Sequence, residues 1–482
     1  SKDFLTGLAL SSTTEQTGSF SSDNAMLNQL YQNIIWTQRA NYLDIPTDCP
    51  QRDERLGWTG DAQVYMRSAI FNADVAAFHT KWIQDLNDAQ WDNGAFPIYA
   101  PMPVNGKGMA AIRTDDSFSP GWSEAGIICT YEIFKAYNDI RIVERSMPYM
   151  LKFMDATPKG GFGDWLSVGQ KTSPDLLATT YYYYCNKLMA EMCESIGHKD
   201  EALVFQKQMA AVKEGFKKHY MNAQGQLKTN SSAYGDGAGY VEGDNGFSGH
   251  TQTGYANALY SGILDQSDAL LAGKYLRELV EANGNKLTTG FLGFKPLLPA
   301  LSSGGSSDKA YHLLQSEEYP SLGYEVANGA TSIWERWDSY TKDQGFVHNA
   351  AMNSFSHYAF GSVNEWMFEN MLGIKAKTNG YQEVYIKPEI GPYGLKKASG
   401  SYRSIAGVIK SSWQQNPEEL TQDISIPVNV KAYCYIKAPS AEAIMLNDKP
   451  LAQHKYVGEI SQQDDFIIVQ LGSGDYTFKV KK

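Results

Sequence analysis

From Met26 onward the apolar residues fall at three- and four-residue intervals. Met26, Leu27, Leu30, Tyr31, Ile34 and Ile35 share one face of a helix that Ser22 and Asp23 are suited to cap. The same texture recurs through residues 64–86, 125–137, 176–196, 202–220, 254–264, 274–280 and 353–372, with loops rich in Gly, Asp and Trp between. Amphipathic helices repeated over about 350 residues predict a large all-α domain. After Gly373 the rhythm changes. Ile424, Ile426, Val428, Val430, Ala432, Cys434 and Ile436 alternate with mostly polar or aromatic neighbours, as in a half-buried strand. Val384 with Ile386, Ile405 with Ile409, and Tyr476 with Phe478 and Val480 repeat that period, which predicts a terminal β-sandwich. The expected division is residues 1–20 as a remnant or linker of an upstream β domain, with a short strand from Leu5 to Leu10, then a helical domain over 21–373 and a β domain over 374–482.

Charge and composition narrow the partners. The chain carries 42 basic and 53 acidic residues, a net charge of −11, which argues against a nucleic-acid backbone or an anionic membrane as partner. A hydrophobic share of 43% with 20% charged residues is that of a packed globular protein. No stretch reaches the roughly 18 consecutive apolar residues of a membrane span. The five cysteines contain no C-x-x-C and the eight histidines no H-E-x-x-H, so neither a metal nor a cofactor is expected. Because the chain starts at Ser1 without an initiator Met or a signal-peptide core, it is expected to be processed or cut from something longer. A periplasmic or secreted setting is expected ahead of a cytoplasmic one. The 20 Phe, 10 Trp and 30 Tyr exceed what helix packing needs, and in an acidic protein they suit a pocket that stacks on sugar rings.

The densest candidate chemistry lies in the loop from Asp44 to Asp61, where Pro46, Pro50, Gly57 and Gly60 break regular structure. It gathers Asp48, Asp53, Glu54 and Asp61 around Arg52 and Arg55, with Trp58 beside them. Crowded carboxylates against an aromatic wall favour retention of a proton at neutral pH, as a general acid requires; a solvated loop of Asp–Arg pairs has the same composition. A second cluster runs from Gly329 to Asp338, with Glu335 between Trp334 and Trp337. That carboxylate reads either as a base over a ring or as a buried acid paired with Arg336. Trp122 with Glu124, and Asp164 with Trp165, form two further aromatic–acid pairs; His357, within Asn353-Ser354-Phe355-Ser356-His357-Tyr358, stands in a context that usually holds a satisfied core histidine. Gly235 to Gly239 contains G-x-G-x-G, which reads as a turn and not as a dinucleotide fingerprint.

Taken together, these segments point further. Asp48-Cys49-Pro50-Gln51-Arg52-Asp53-Glu54-Arg55-Leu56-Gly57-Trp58-Thr59-Gly60-Asp61 closely resembles the signature loop of the bacterial α-L-rhamnosidases, glycoside hydrolase family seventy-eight. The resemblance continues in order through Pro120-Gly121-Trp122, Gly163-Asp164-Trp165, Ile333 to Asp338 and His357, departing at Glu124, where the family motif has Asp. It implies an (α/α)6 barrel (a helical toroid) followed by a C-terminal antiparallel β-sandwich. It also implies Glu54 as general acid and Glu335 as general base of an inverting hydrolase that removes terminal α-L-rhamnose. Asp48, Asp61 and His357 would bind sugar hydroxyls, and Trp58, Trp122, Trp165 and Trp337 would wall the pocket. The implied partner is a rhamnose-containing glycoside or polysaccharide. Two competing readings are another (α/α)6-barrel glycosidase and a non-catalytic carbohydrate-binding protein; the pairing of Glu54 with Glu335 weighs against the latter, since binding alone needs no acid and base.

Overall fold

Asn24, rather than Ser22 or Asp23, caps the first helix, its Oδ1 accepting the N–H groups of Met26 and Leu27 at 3.0 and 3.3 Å. The protein is described by a computed structural model over residues 6–13, 15–52, 54–102, 119–156, 161–229, 246–347 and 353–481; Asp53 and the Gly235–Gly239 segment lie outside these residues. Helices α1 (Ala25–Asn41), α2 (Thr59–Asn72), α3 (Ala76–Asp88), α4 (Ala125–Tyr137), α5 (Ile140–Met154) and α6 (Pro174–Ser195) are followed by α7 (Lys199–Tyr220), α8 (Gln252–Ser261), α9 (Gln266–Ala282), α10 (Phe291–Ser303) and α11 (Ser307–Gln315). After a short α12 (Leu322–Ala327), a last helical stretch is assembled from the pieces Ala359–Val363, Asn364–Trp366 and Met367–Met371.

These helices close into an (α/α)6 barrel. The even-numbered helices α2, α4, α6, α8 and α10 pack side by side, and the 359–371 stretch closes the ring by packing against both α10 and α2. Burial separates the two rings. Every residue of inner α2 except Arg67 is buried, whereas outer α7 buries only Ala202, Phe205, Phe216 and Tyr220 along one stripe. Arg67 ties the inner ring together at its axis: its guanidinium meets Glu132 of α4 at 3.1 Å and Glu369 of the last stretch at 2.9 Å, while Lys295 of α10 meets Glu365 at 3.1 Å.

Three expectations are corrected here. The periodic run over 64–86 is two helices, because Ala73 takes an extended conformation and bridges Gln16, turning the chain from the inner to the outer ring. The run over 353–372 is helical only from Ala359. Helices α5, α10, α11 and the short α12 escape the periodicity reading; α5 and α10 have proline inside them, Pro148 in one and Pro296 and Pro299 in the other.

Of the strand expected at Leu5–Leu10, Leu5 lies outside the described residues and residues 6–10 carry no regular structure; among the described residues the first strand is β1 (Gly18–Ser22), and it belongs to the C-terminal domain. That domain contains β2 (Ile374–Ala376), β3 (Glu383–Ile386), β4 (Lys397–Ser404), β5 (Gly407–Gln415), β6 (Glu419–Ile426), β7 (Lys431–Lys437), β8 (Ile444–Leu446), β9 (Lys449–Pro450), β10 (Ile460–Gln463), β11 (Phe466–Leu471) and β12 (Gly474–Lys481). One sheet has the order β1-β4-β5-β6-β12-β8-β9 and the other β10-β11-β7-β3-β2. Pairing is antiparallel except between β3 and β7, where Ala432 faces Val384 in parallel register. The chain leaves β3, builds three strands of the other sheet, and returns beside β3 in the same direction. Trp413 and Ser411 of β5 donate to the carbonyls of Met371 and Leu372 at 2.8 and 2.6 Å, fixing the sandwich to the end of the barrel. Gly373 makes the turn between the domains at φ +73°, where a Cβ would lie 2.2 Å from the Pro388 nitrogen.

Candidate active site

The signature loop is folded on itself by Asp48. Its backbone N–H donates to the Leu56 carbonyl at 2.9 Å, and its Oδ1 accepts the Leu56 N–H at 3.0 Å. This closure points Arg52 and Glu54 across the mouth of the barrel. The Arg52 guanidinium bonds Glu54 through Nε at 2.7 Å and through Nη2; Nη1 donates to Glu335 at 3.0 Å, and Asp48 Oδ2 stands 3.7 Å from Nη2. Glu54 and Glu335, from loops at opposite ends of the barrel sequence, thus converge on one cation. Among the described contacts the arginine on Glu335 is Arg52, where Arg336 was the partner considered.

Asp61 lies in the first turn of α2 and meets His357 Nε2 at 2.6 Å, with both side chains about 5% exposed. Burial alone would strip the proton from this ring. Asp61, with Glu335 and Asp48 behind it, outweighs burial and pushes His357 up to about 9, so the imidazolium persists at neutral pH. Asp48 is pushed up to about 7 by burial, against the attraction of His357 and with the repulsion of Glu54 added. The cluster therefore sets four carboxylates against two cations, and burial brings the titration of one of them, Asp48, up to the neutral range. Asp48, Cys49 and Glu54 bring one ligand atom each within 4.8 Å, a spacing open to a metal, but the cation this group faces is Arg52.

The aromatic residues meet around a ring that the sequence reading did not single out. Phe162 lies 6.0 Å from Trp58, 4.8 Å from Trp122 and 5.9 Å from Trp165, centroid to centroid. Trp58 and Trp165 are half-buried and form the accessible wall. Trp122 is buried beneath them, its indole over Gly60, where a Cβ would come within 2.4 Å of Nε1. Its turn is held by Glu124, which accepts the Gly121 N–H at 2.8 Å; burial pushes this carboxyl up to about 8. Asp164 is also structural: Oδ2 accepts the N–H of Gly290 at 2.8 Å and Oδ1 that of Gly293 at 2.9 Å, a carboxylate at the N-terminus of α10. Trp337 does not wall the pocket. It is 1% exposed, stacks on Phe360 at 3.9 Å and donates to the Thr289 carbonyl at 2.9 Å, so its face and N–H are already taken.

Three buried polar atoms in this site have no hydrogen-bond partner among the described residues: Asp48 Oδ2, Trp58 Nε1 and His357 Nδ1. Buried donors and acceptors are normally satisfied, so unbonded atoms on Asp48 and His357 of the charged cluster and on Trp58 of the aromatic wall suit a ligand with several polar groups.

Comparison with known proteins gives the chain a family. Residues 15–371 match the bacterial α-L-rhamnosidase six-hairpin glycosidase domain, and residues 373–449 the bacterial α-L-rhamnosidase C-terminal domain. An α-L-rhamnosidase of Streptomyces avermitilis is 34% identical over 99% of this chain and 43% of its own length; one of Formosa agariphila is 34% identical over the whole chain and 50% of its own. The crystal structure of the Streptomyces avermitilis α-L-rhamnosidase complexed with L-rhamnose superposes with a TM-score of 0.85 at 33% identity, covering 98% of this chain and 42% of that one. The chain spans half or less of the length of these relatives.

Proposed function

The chain belongs to the bacterial α-L-rhamnosidases with a six-hairpin glycosidase domain, and on that premise we propose that it hydrolyses terminal α-L-rhamnosides, with Glu54 as general acid and Glu335 as general base. The observation that carries the reading is the convergence of Glu54 and Glu335 on Arg52, in a site where buried polar atoms of Asp48, Trp58 and His357 have no hydrogen-bond partner among the described residues. A deoxysugar suits this mixture. Its hydroxyls need fixed acceptors and donors, which Asp48, Asp61, His357 and the Trp58 N–H supply, and its methyl group needs an apolar surface, which Trp58, Phe162 and Trp165 supply. In the inverting scheme Glu54 protonates the leaving oxygen while Glu335 activates a water on the opposite face of the ring.

Glu54→Gln and Glu335→Gln should each lower turnover of an unactivated rhamnoside by about 10² to 10⁴ while L-rhamnose still binds. NMR of the first-formed product should show β-rhamnose released from an α-rhamnoside. α-Rhamnose as first product would mean retention and would remove the role given to Glu335, and full activity of Glu54→Gln would remove the general acid.

A further inference from the structure

The segment from Ala330 to Glu335 has neither helix nor strand, yet it is largely buried. Its backbone polar groups therefore need partners that no regular ladder supplies. Three consecutive N–H groups find three different ones. Ile333 donates to the Thr37 hydroxyl at 2.8 Å, Trp334 to the Glu325 carboxyl at 3.1 Å, and Glu335 to the Ser354 carbonyl at 2.9 Å. Two further bonds complete the hold: Asn33 donates to the Ala330 carbonyl at 2.8 Å, and the His357 N–H to the Ile333 carbonyl at 2.9 Å. Asn33, Thr37 and Asn41 stand one turn apart along the inward face of α1, and Asn41 reaches the Ser356 carbonyl at 3.2 Å. A polar stripe on the buried side of α1 thus grips both loops that meet at Glu335 and His357.

We infer that Thr37 is a positioning residue for Glu335: its hydroxyl, fully buried and itself donating to the Asn33 carbonyl at 2.6 Å, sets the placement of the segment that carries the carboxylate. The inference rests on the assignment of Glu335 as general base. Among the described residues the Thr37 hydroxyl bonds neither Arg52 nor the Glu335 side chain; it reaches the site through the Ile333 N–H, two residues before Glu335. Displacement of a catalytic group by about 1 Å can cost about 10²-fold in rate, and a backbone N–H left without its acceptor is the kind of change that produces one.

The test is a set of four variants assayed on an aryl α-L-rhamnoside, with competitive inhibition by free L-rhamnose measured in parallel. Thr37→Val keeps the shape and removes the acceptor; it should lower kcat by about 10- to 100-fold with KM and the rhamnose inhibition constant within about threefold of the parent. Thr37→Ser retains the hydroxyl and should restore kcat to within about threefold. In a Glu335→Gln background, Thr37→Val should have little further effect, since its influence passes through a base already removed. The inference is overturned if Thr37→Val leaves kcat unchanged, if Thr37→Ser is as impaired as Thr37→Val, or if Thr37→Val costs as much without Glu335 as with it. Glu335→Gln alone, if fully active, would overturn the assignment of the base separately from these outcomes.

Discussion

Replacing Asp61 by Asn removes the nearest charge from a buried imidazolium, and the structure sets both the sign and the size of the consequence. His357 is pushed from its ordinary 6.5 up to about 9: burial opposes the charge, and Asp61 at 2.6 Å leads the groups that overcome it. Between those two values the folded protein holds a proton on His357 that the unfolded chain has lost. Stability contributed by the charged ring is fully present below pH 6.5 and is lost as pH rises through about 9. About 2.5 units at 1.36 kcal/mol each gives on the order of 3 kcal/mol across that window. In Asp61→Asn the leading favourable partner is gone while burial remains, so most of this slope should vanish, and the variant should be more destabilised relative to the parent at pH 6 than at pH 9. Urea unfolding at half-unit intervals from pH 5.5 to 9.5, followed by Trp fluorescence, measures the difference directly. Glu124, raised to about 8 by burial and not by any charge of this cluster, contributes the same slope in parent and variant and cancels; Asp48, raised to about 7, feels both His357 and Asp61 and changes with them, so the comparison is cleanest above pH 7. An unchanged slope between pH 6.5 and 9 in Asp61→Asn would refute the ion-pair account of His357.

Gly60→Ala would drive a methyl group into the Trp122 indole and should cost about 1–3 kcal/mol in stability while displacing the floor under Trp58; thermal unfolding and tryptophan fluorescence report both. Phe162→Ala removes the ring shared by Trp58, Trp122 and Trp165, and should raise the rhamnose dissociation constant by about tenfold in calorimetry, with little effect expected if the three indoles acted independently. Trp413→Phe leaves the Met371 carbonyl without its donor at the joint between barrel and sandwich; a loss of about 1–3 kcal/mol should appear in chemical unfolding, with kcat unchanged.

The helical half and the β half were legible along the chain because each repeats a local period, and period is a property of neighbours in sequence. The loop carrying Asp48, Glu54 and Asp61 was legible for a similar reason, since its chemistry is packed into a short run of residues. Where local rules competed, the reading lost. Among the helices that went unread, α5 and α10 carry internal prolines, and α10 lies on the inner ring.

Position along the chain by itself determined which residues could be acid, base or aromatic wall; it could not say which of them meet. Arg52 and Glu335 are separated by 283 residues, and their contact exists only because the toroid closes its last helical stretch against α2. Ring closure likewise decided that Trp122 and Trp337 are buried supports while Trp58 and Trp165 stay accessible, although all four look alike in sequence. Ser19 pairs with Ser401 across 382 residues, so a strand at the start of the chain completes the sheet at its end. The stripe of Asn33, Thr37 and Asn41 was visible as polar residues at helical spacing, but not as a clamp. A hydroxyl or an amide declares only that it can bond; the packed neighbour that needs that bond, here a buried segment without a ladder of its own, is chosen by the tertiary structure.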